Sequence, residues 1–122
     1  MIHLTIPISP VTKKNSQQIV MVKGRPIIMP SQRYRSYERA CEPFLEELSI
    51  DYPITLACHY YMPTKRRVDL VNLLEATCDV LVKYKVISDD NSKVVASHDG
   101  SRVFYDKENP RTEIFIEEFS DV

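Results

Sequence analysis

An α+β (mixed α/β) chain, with two helices packed on a mixed β-sheet in a single domain spanning residues 1–122, is what this sequence predicts. Three observations point to it. Short apolar runs are punctuated by Pro and Gly turns, which is strand behaviour. Two longer stretches carry apolar residues at helical spacing. Read in order, the segments run β-ββ-α-β-α-β-β, with no internal repeat and no low-complexity linker.

The first strand is "IHLTIPI", stopped by Pro10. "QQIVMVKGRPIIMP" reads as a hairpin, two apolar runs joined by a turn at Lys23-Gly24-Arg25 and ended by Pro30. Ser31 is the expected N-cap of a first helix through about Leu48, with Tyr34, Tyr37, Cys41, Phe44, Leu45 and Leu48 on one stripe. Pro43 falls inside that span and predicts a kink or interruption. "PITLACHYYMP" is a strand containing His59, and a second helix is expected over about Val68 to Tyr84. "KVVASHDGSRVFYDKENPRTEIFIEEF" reads as two further strands around an Asn109-Pro110 turn.

Composition narrows the function classes. At 122 residues the chain is long enough for one real core. Its formal net charge of −1 identifies no partner by itself, so only the distribution of charge can inform. No apolar run approaches bilayer length, and "MIHLTIPISP" lacks the charged and hydrophobic regions of a leader, so a cytoplasmic location and no membrane partner are expected. Cys41, Cys58 and Cys78 are far apart, form no Cys-x-x-Cys pair and sit among apolar neighbours, as buried packing residues do. Only Gly24 and Gly100 occur, which excludes a Walker A loop and a Rossmann fingerprint.

The second helix holds the chemistry. Stepping 100° per residue places Asp69, Asn72, Glu75, Asp79 and Lys83 on one side and Leu70, Leu73, Leu74, Val80 and Leu81 on the other. An exposed stripe with Asp69 as N-cap and Lys83 four residues beyond Asp79 explains this without any function. Yet no basic residue interrupts the stripe between Asp69 and Asp79, and a short loop, "YKVIS", leads to the acid pair Asp89-Asp90. Carboxylates gathered from separate elements suit Mg²⁺, which takes hard oxygen ligands and can stabilise a phosphoryl oxygen and acidify a bound water. The plain alternative for "SDDNS" is a turn. Around the acids lie "TKKNSQQ" and "TKRR", with Arg33 and Arg35 beside Tyr34 and Tyr37. Small basic clusters are usually solvated loops, but beside a carboxylate group they fit a protein that grips phosphates.

With those residues assembled, the chain resembles the RusA family of Holliday-junction resolvases often carried by prophages. "IPISPVTKKN" is similar to the family's opening strand and Lys-Asn loop. "RRVDLVNLLEATCDVL" followed by "VISDDNSKV" resembles its signature of a basic pair, an Asp-x-Asp-Asn helix and an Asp-Asp turn. The resemblance implies a homodimeric, Mg²⁺-dependent endonuclease, with Mn²⁺ as an alternative metal, that binds four-way junction DNA in recombination and repair and cuts two strands of like polarity. It matches Asp69 to the first helix acid, Asn72 to the asparagine, Asp90 to the catalytic residue of the Asp-Asp turn with Asp89 beside it, and Asp79 to an acid further along.

Two positions depart from that pattern. The second acid of the motif is Val71, and the lysine expected near its end is Glu75. Our reading is that Glu75 supplies the carboxylate lost at Val71, so the expected catalytic set is Asp69, Glu75 and Asp90, with Asp89 and Asp79 as further metal ligands. Lys13, Lys14, Asn15, Arg66, Arg67 and Asn72 are the expected DNA contacts. The competing reading is a junction-binding protein that no longer cuts; more distant is an interaction module whose acidic helix only faces solvent. His59 and His98 are left outside the catalytic set.

Overall fold

The computed structural model describes residues 1–13 and 17–120. Its strands are β1 (Ile2–Ile6), β2 (Gln17–Val22), β3 (Arg25–Pro30), β4 (Ile54–Met62), β5 (Val95–Ser97), β6 (Arg102–Tyr105) and β7 (Arg111–Glu118); its helices are α1 (Gln32–Cys41) and α2 (Leu70–Lys83). The main sheet runs β1-β7-β4-β5, and β6 also pairs with β4. β7 is antiparallel to both β1 and β4, whereas β5 and β6 run parallel to β4. The sheet is therefore mixed, as expected, with α2 as the crossover that parallel strands require.

Alternation along β4 decides what faces the helices. Ile54, Leu56, Cys58 and Tyr60 are buried, while Thr55, Ala57, His59 and Tyr61 are half-buried on the other face. β7 repeats the pattern with Thr112, Ile114 and Ile116 inside. Two hydrogen-bonded links tie the layers together. The Tyr60 hydroxyl lies 2.7 Å from Thr77 Oγ1, which itself donates to the Leu73 carbonyl at 3.0 Å, and Tyr34 Oη donates to the Ala76 carbonyl at 3.3 Å. All three cysteines are buried and free.

Ser31 caps α1 through a hydrogen bond accepted from Tyr34 N, as its position predicts. The helix stops at Cys41, however, not near Leu48. Pro43 lacks the N–H an α-helix needs, so the chain tightens into a 3₁₀ turn over Glu42–Phe44 and leaves extended at Leu45. Leu45 and Leu48 still pack against the core, which is why their spacing imitates a longer helix. The hairpin turn is shorter than expected: Lys23 and Gly24 alone make it, at φ 51° and 77°, and Arg25 already belongs to β3. Two central residues at positive φ match the twist of the flanking strands.

The other difference lies near the C-terminus, where three strands form instead of two. Residues 98–101, with Gly100 at φ 91°, break one expected strand into β5 and β6 along the same edge of β4. The β4 backbone is satisfied across the break by side chains: His98 Nδ1 donates to the Leu56 carbonyl at 2.9 Å, and Ser101 Oγ accepts from Cys58 N at 3.1 Å. His59 Nε2 donates to the Gly100 carbonyl at 3.1 Å. Both histidines thus serve the sheet.

Candidate active site and its basic cleft

β4 delivers the chain to a loop, residues 63–68, and then to α2, whose N-cap position is Asp69. The Asp69 carbonyl accepts from Leu73 N at 3.2 Å, but its side chain makes no cap bond. Instead the exposed carboxylate accepts from Asn72 Nδ2 at 3.3 Å, one turn along. A carboxylate at a helix start that leaves the backbone N–H groups alone is open to another partner, in a field that favours its charge.

Glu75 and Asp79 follow on the same face, Glu75 exposed and Asp79 half-buried. Asp79 Oδ2 accepts from Lys13 Nζ at 2.8 Å, so the loop after β1 is pinned to α2. That hydrogen bond raises the Lys13 pKa; burial opposes it, and the charges of Asp79, Glu75 and Glu38 add to it. Burial also pushes the Tyr34 phenol upward, with Glu38, Asp79 and Glu75 contributing. The helix acids therefore converge electrostatically on Lys13 and Tyr34. Lys83 pairs with Glu38 of α1 at 2.6 Å and not with Asp79, so it clamps the two helices.

After α2 the chain reverses. Lys85 at φ 60° ends the helix, Lys85 N donates to Val82 O and Val86 N to Leu81 O. Asp89 and Asp90 then form a tight turn: Asp89 Oδ1 accepts from Asp90 N at 2.7 Å and Oδ2 from Asn91 Nδ2 at 3.1 Å. Both Asp89 oxygens are thus used locally. The Asp90 carboxylate is exposed, yet its charge reaches Cys78 of α2, whose thiol is pushed up to about 12 by burial first, then by Cys58, Asp90 and Asp79. Among the described residues, however, no three His, Cys, Asp or Glu side chains approach closely enough to hold a metal ion.

Basic residues collect at the start of α2. A cleft of about 310 Å³ runs between the loop after β1, the first turn of α1 and the loop after β4, and Arg33, Arg66 and Arg67 line it with Thr12 and Thr64. Val68, next to Asp69, also lines it. Arg66 and Arg67 are two of the expected DNA contacts. Arg33 stands outside the expected set; its place two residues after the Ser31 cap, hence in the first turn of α1, is the signal in the sequence that could have found it. Lys14 and Asn15 lie outside the described residues.

A cleft lined by three arginines is suited to hold phosphate oxygens. The family model described as Endodeoxyribonuclease RusA matches residues 7–117, spanning the cleft, α2 and the Asp89-Asp90 turn. The chain belongs to the RusA family. Its relatives in that family are endodeoxyribonucleases that act on Holliday junctions. Among curated proteins none matches the chain. Among the described residues of this RusA-family chain, no helix is long and apolar enough to cross a membrane.

Proposed function

We propose that this chain is a structure-selective DNA endonuclease that resolves four-way junctions by Mg²⁺-dependent paired cleavage, in recombination and repair, as a cytoplasmic homodimer. Membership of the RusA family supports the nuclease reading. The observation that carries it to this chain is the cleft lined by Arg33, Arg66 and Arg67, which reaches Val68, the residue before Asp69, whose carboxylate makes no cap bond at the start of α2. Two incisions on a four-armed substrate call for two sites related by symmetry, which a two-fold dimer supplies.

The arginines hold backbone phosphates, Asn72 orients the Asp69 carboxylate, and Lys13 remains protonated beside Asp79 as a further cation. Mg²⁺, or Mn²⁺ in its place, would contribute charge stabilisation at a phosphoryl oxygen and an acidified water. As they stand, Asp69, Glu75, Asp79, Asp89 and Asp90 do not make a three-ligand cage, so the chemistry assigned to the chain's own side chains ends with holding and orienting DNA.

A second reading has its own support. Val71, where the family pattern expects an acid, is 73% exposed, and Glu75 stands where a lysine is expected. On that reading the chain binds junctions without cutting. A labelled mobile junction incubated with and without Mg²⁺ or Mn²⁺ separates the two. Paired nicks that disappear on Asp69→Asn support resolution; tight binding with no nicks in either metal supports the binder. Glu75→Gln then tests whether Glu75 replaces the missing acid, since unchanged cleavage in that variant would exclude it.

A further inference from the structure

Among the described residues, β2 and β3 form a separate two-stranded sheet, with no strand pairing to the main sheet. Its register puts Ile19 opposite Ile28 and Met21 opposite Pro26 on one face, with Val20 opposite Ile27 and Val22 opposite Arg25 on the other. Apolar residues are exposed on both faces: Ile19 72%, Met21 64% and Ile28 67% on the first, Val22 and Ile27 41% each on the second. A lone hairpin is marginal in water, and one so apolar is built to be covered.

Charge says by what. No acidic residue precedes Glu38, whereas Lys13, Lys14, Lys23, Arg25, Arg33 and Arg35 all do. The hairpin tip carries Lys23 and Arg25 around Gly24, and β3 ends at Pro30, three residues before Arg33 of the arginine cleft. A second copy of the same arm would bring like charges together in a symmetric contact. A polyanion would not. An apolar pair just behind two cations is the arrangement with which DNA-bending proteins push a side chain between base steps while basic neighbours hold the phosphates.

We propose that the hairpin is a DNA-opening arm: Lys23 and Arg25 grip phosphates and the Met21–Pro26 pair wedges against the bases at a branch point, where stacking is already interrupted. This rests on the junction-binding reading above. The energetic logic is that unstacking costs least where base pairing is broken or strained.

The test uses the full chain and a four-way junction with 2-aminopurine beside the branch point, and a second junction with the probe in mid-arm. Binding is followed by gel shift and particle mass by light scattering. The wild type should bind and raise branch-point fluorescence severalfold, with little change in mid-arm. Met21→Thr combined with Pro26→Thr, which keeps strand-compatible residues, should still bind but lose most of that rise. Lys23→Gln with Arg25→Gln should flatten the salt dependence of log K by about 2, one phosphate for each side chain. An undiminished rise in the Thr variant, or no rise in a wild type that binds, would overturn the arm's role and leave junction binding intact. Halved particle mass in the Thr variant with fluorescence unchanged would assign the hairpin to a second copy instead. A wild type that does not shift the junction at all overturns the DNA reading itself.

Discussion

Thr77→Val is the substitution that most directly tests how α2 is held over the sheet. Thr77 Oγ1 donates to the Leu73 carbonyl, so in its bond to Tyr60 it is the acceptor and the Tyr60 hydroxyl is the donor. Both are buried, Tyr60 at 1% exposure. Valine preserves the shape of threonine and takes away the oxygen that the buried Tyr60 O–H donates to, leaving it only the Cys58 thiol, a weak acceptor. An orphaned buried donor costs about 1–3 kcal/mol. For a chain of this length that lowers Tm by roughly 4 °C per kcal/mol, or about 8 °C at the middle of the range. Tyr60→Phe alone removes only the donor and should cost about 1 kcal/mol. The double variant should be less destabilised than the two singles summed, because it leaves no unmatched hydroxyl. Urea denaturation followed by circular dichroism gives all three values. Strict additivity, or a Thr77→Val stability within a few tenths of a kcal/mol of wild type, would refute this account of the α2 anchor.

Four other substitutions or treatments have expected outcomes. Asp69→Asn should leave Tm essentially unchanged, because no cap bond is broken, against the ~1 kcal/mol that a capping side chain is worth; thermal melts check it. Replacing Arg33, Arg66 and Arg67 by alanine should reduce the slope of log K against log salt by about 1 for each phosphate no longer neutralised, read from junction titrations. Lys85→Gly relieves a left-handed residue at the end of α2 and should stabilise by about 0.5–1 kcal/mol in urea denaturation, since the 4.0 Å ion pair with Glu47 that it forfeits is exposed. Burial pushes the Cys41 thiol up to about 11 and the Cys58 and Cys78 thiols up to about 12. A thiol reagent at pH 8 should therefore label the native chain slowly and the denatured chain fully. Because the unfolded thiols ionise first, their contribution to stability is complete below about pH 9 and declines above it.

Elements set by local chemistry are readable in the sequence. Ser31 caps because its hydroxyl reaches a backbone N–H three residues on, and the hairpin turns at Lys23-Gly24 because glycine tolerates positive φ. The first helix is shorter than its spacing suggests because Leu45 and Leu48 keep helical intervals while packing on the core beyond its end. β5 and β6 look like one strand because their division depends on side chains of residues 98–101 taking over β4 hydrogen bonds, a tertiary event. The acidic stripe of α2 is legible as periodicity. Its pairing with Lys13 is not, since that lysine arrives from 66 residues away. For the same reason the arginine cleft, assembled from three segments, shows in the sequence only as scattered basic residues.

The sheet order carries a consequence for how this chain comes into being. Among the described residues, β1 finds its strand partner in β7, with residues as far apart as Ile2 and Ile116 in register. On the ribosome, every element that bears an acid or an arginine of the site emerges before β7 does. Until residues 111–118 are made, β1 lacks its strand partner and β4 has one bare edge, so the floor beneath α2 stays incomplete. Such long-range closure makes folding slow but also couples it tightly to completion. A nascent fragment can carry the whole acidic helix and still lack the platform that aims it.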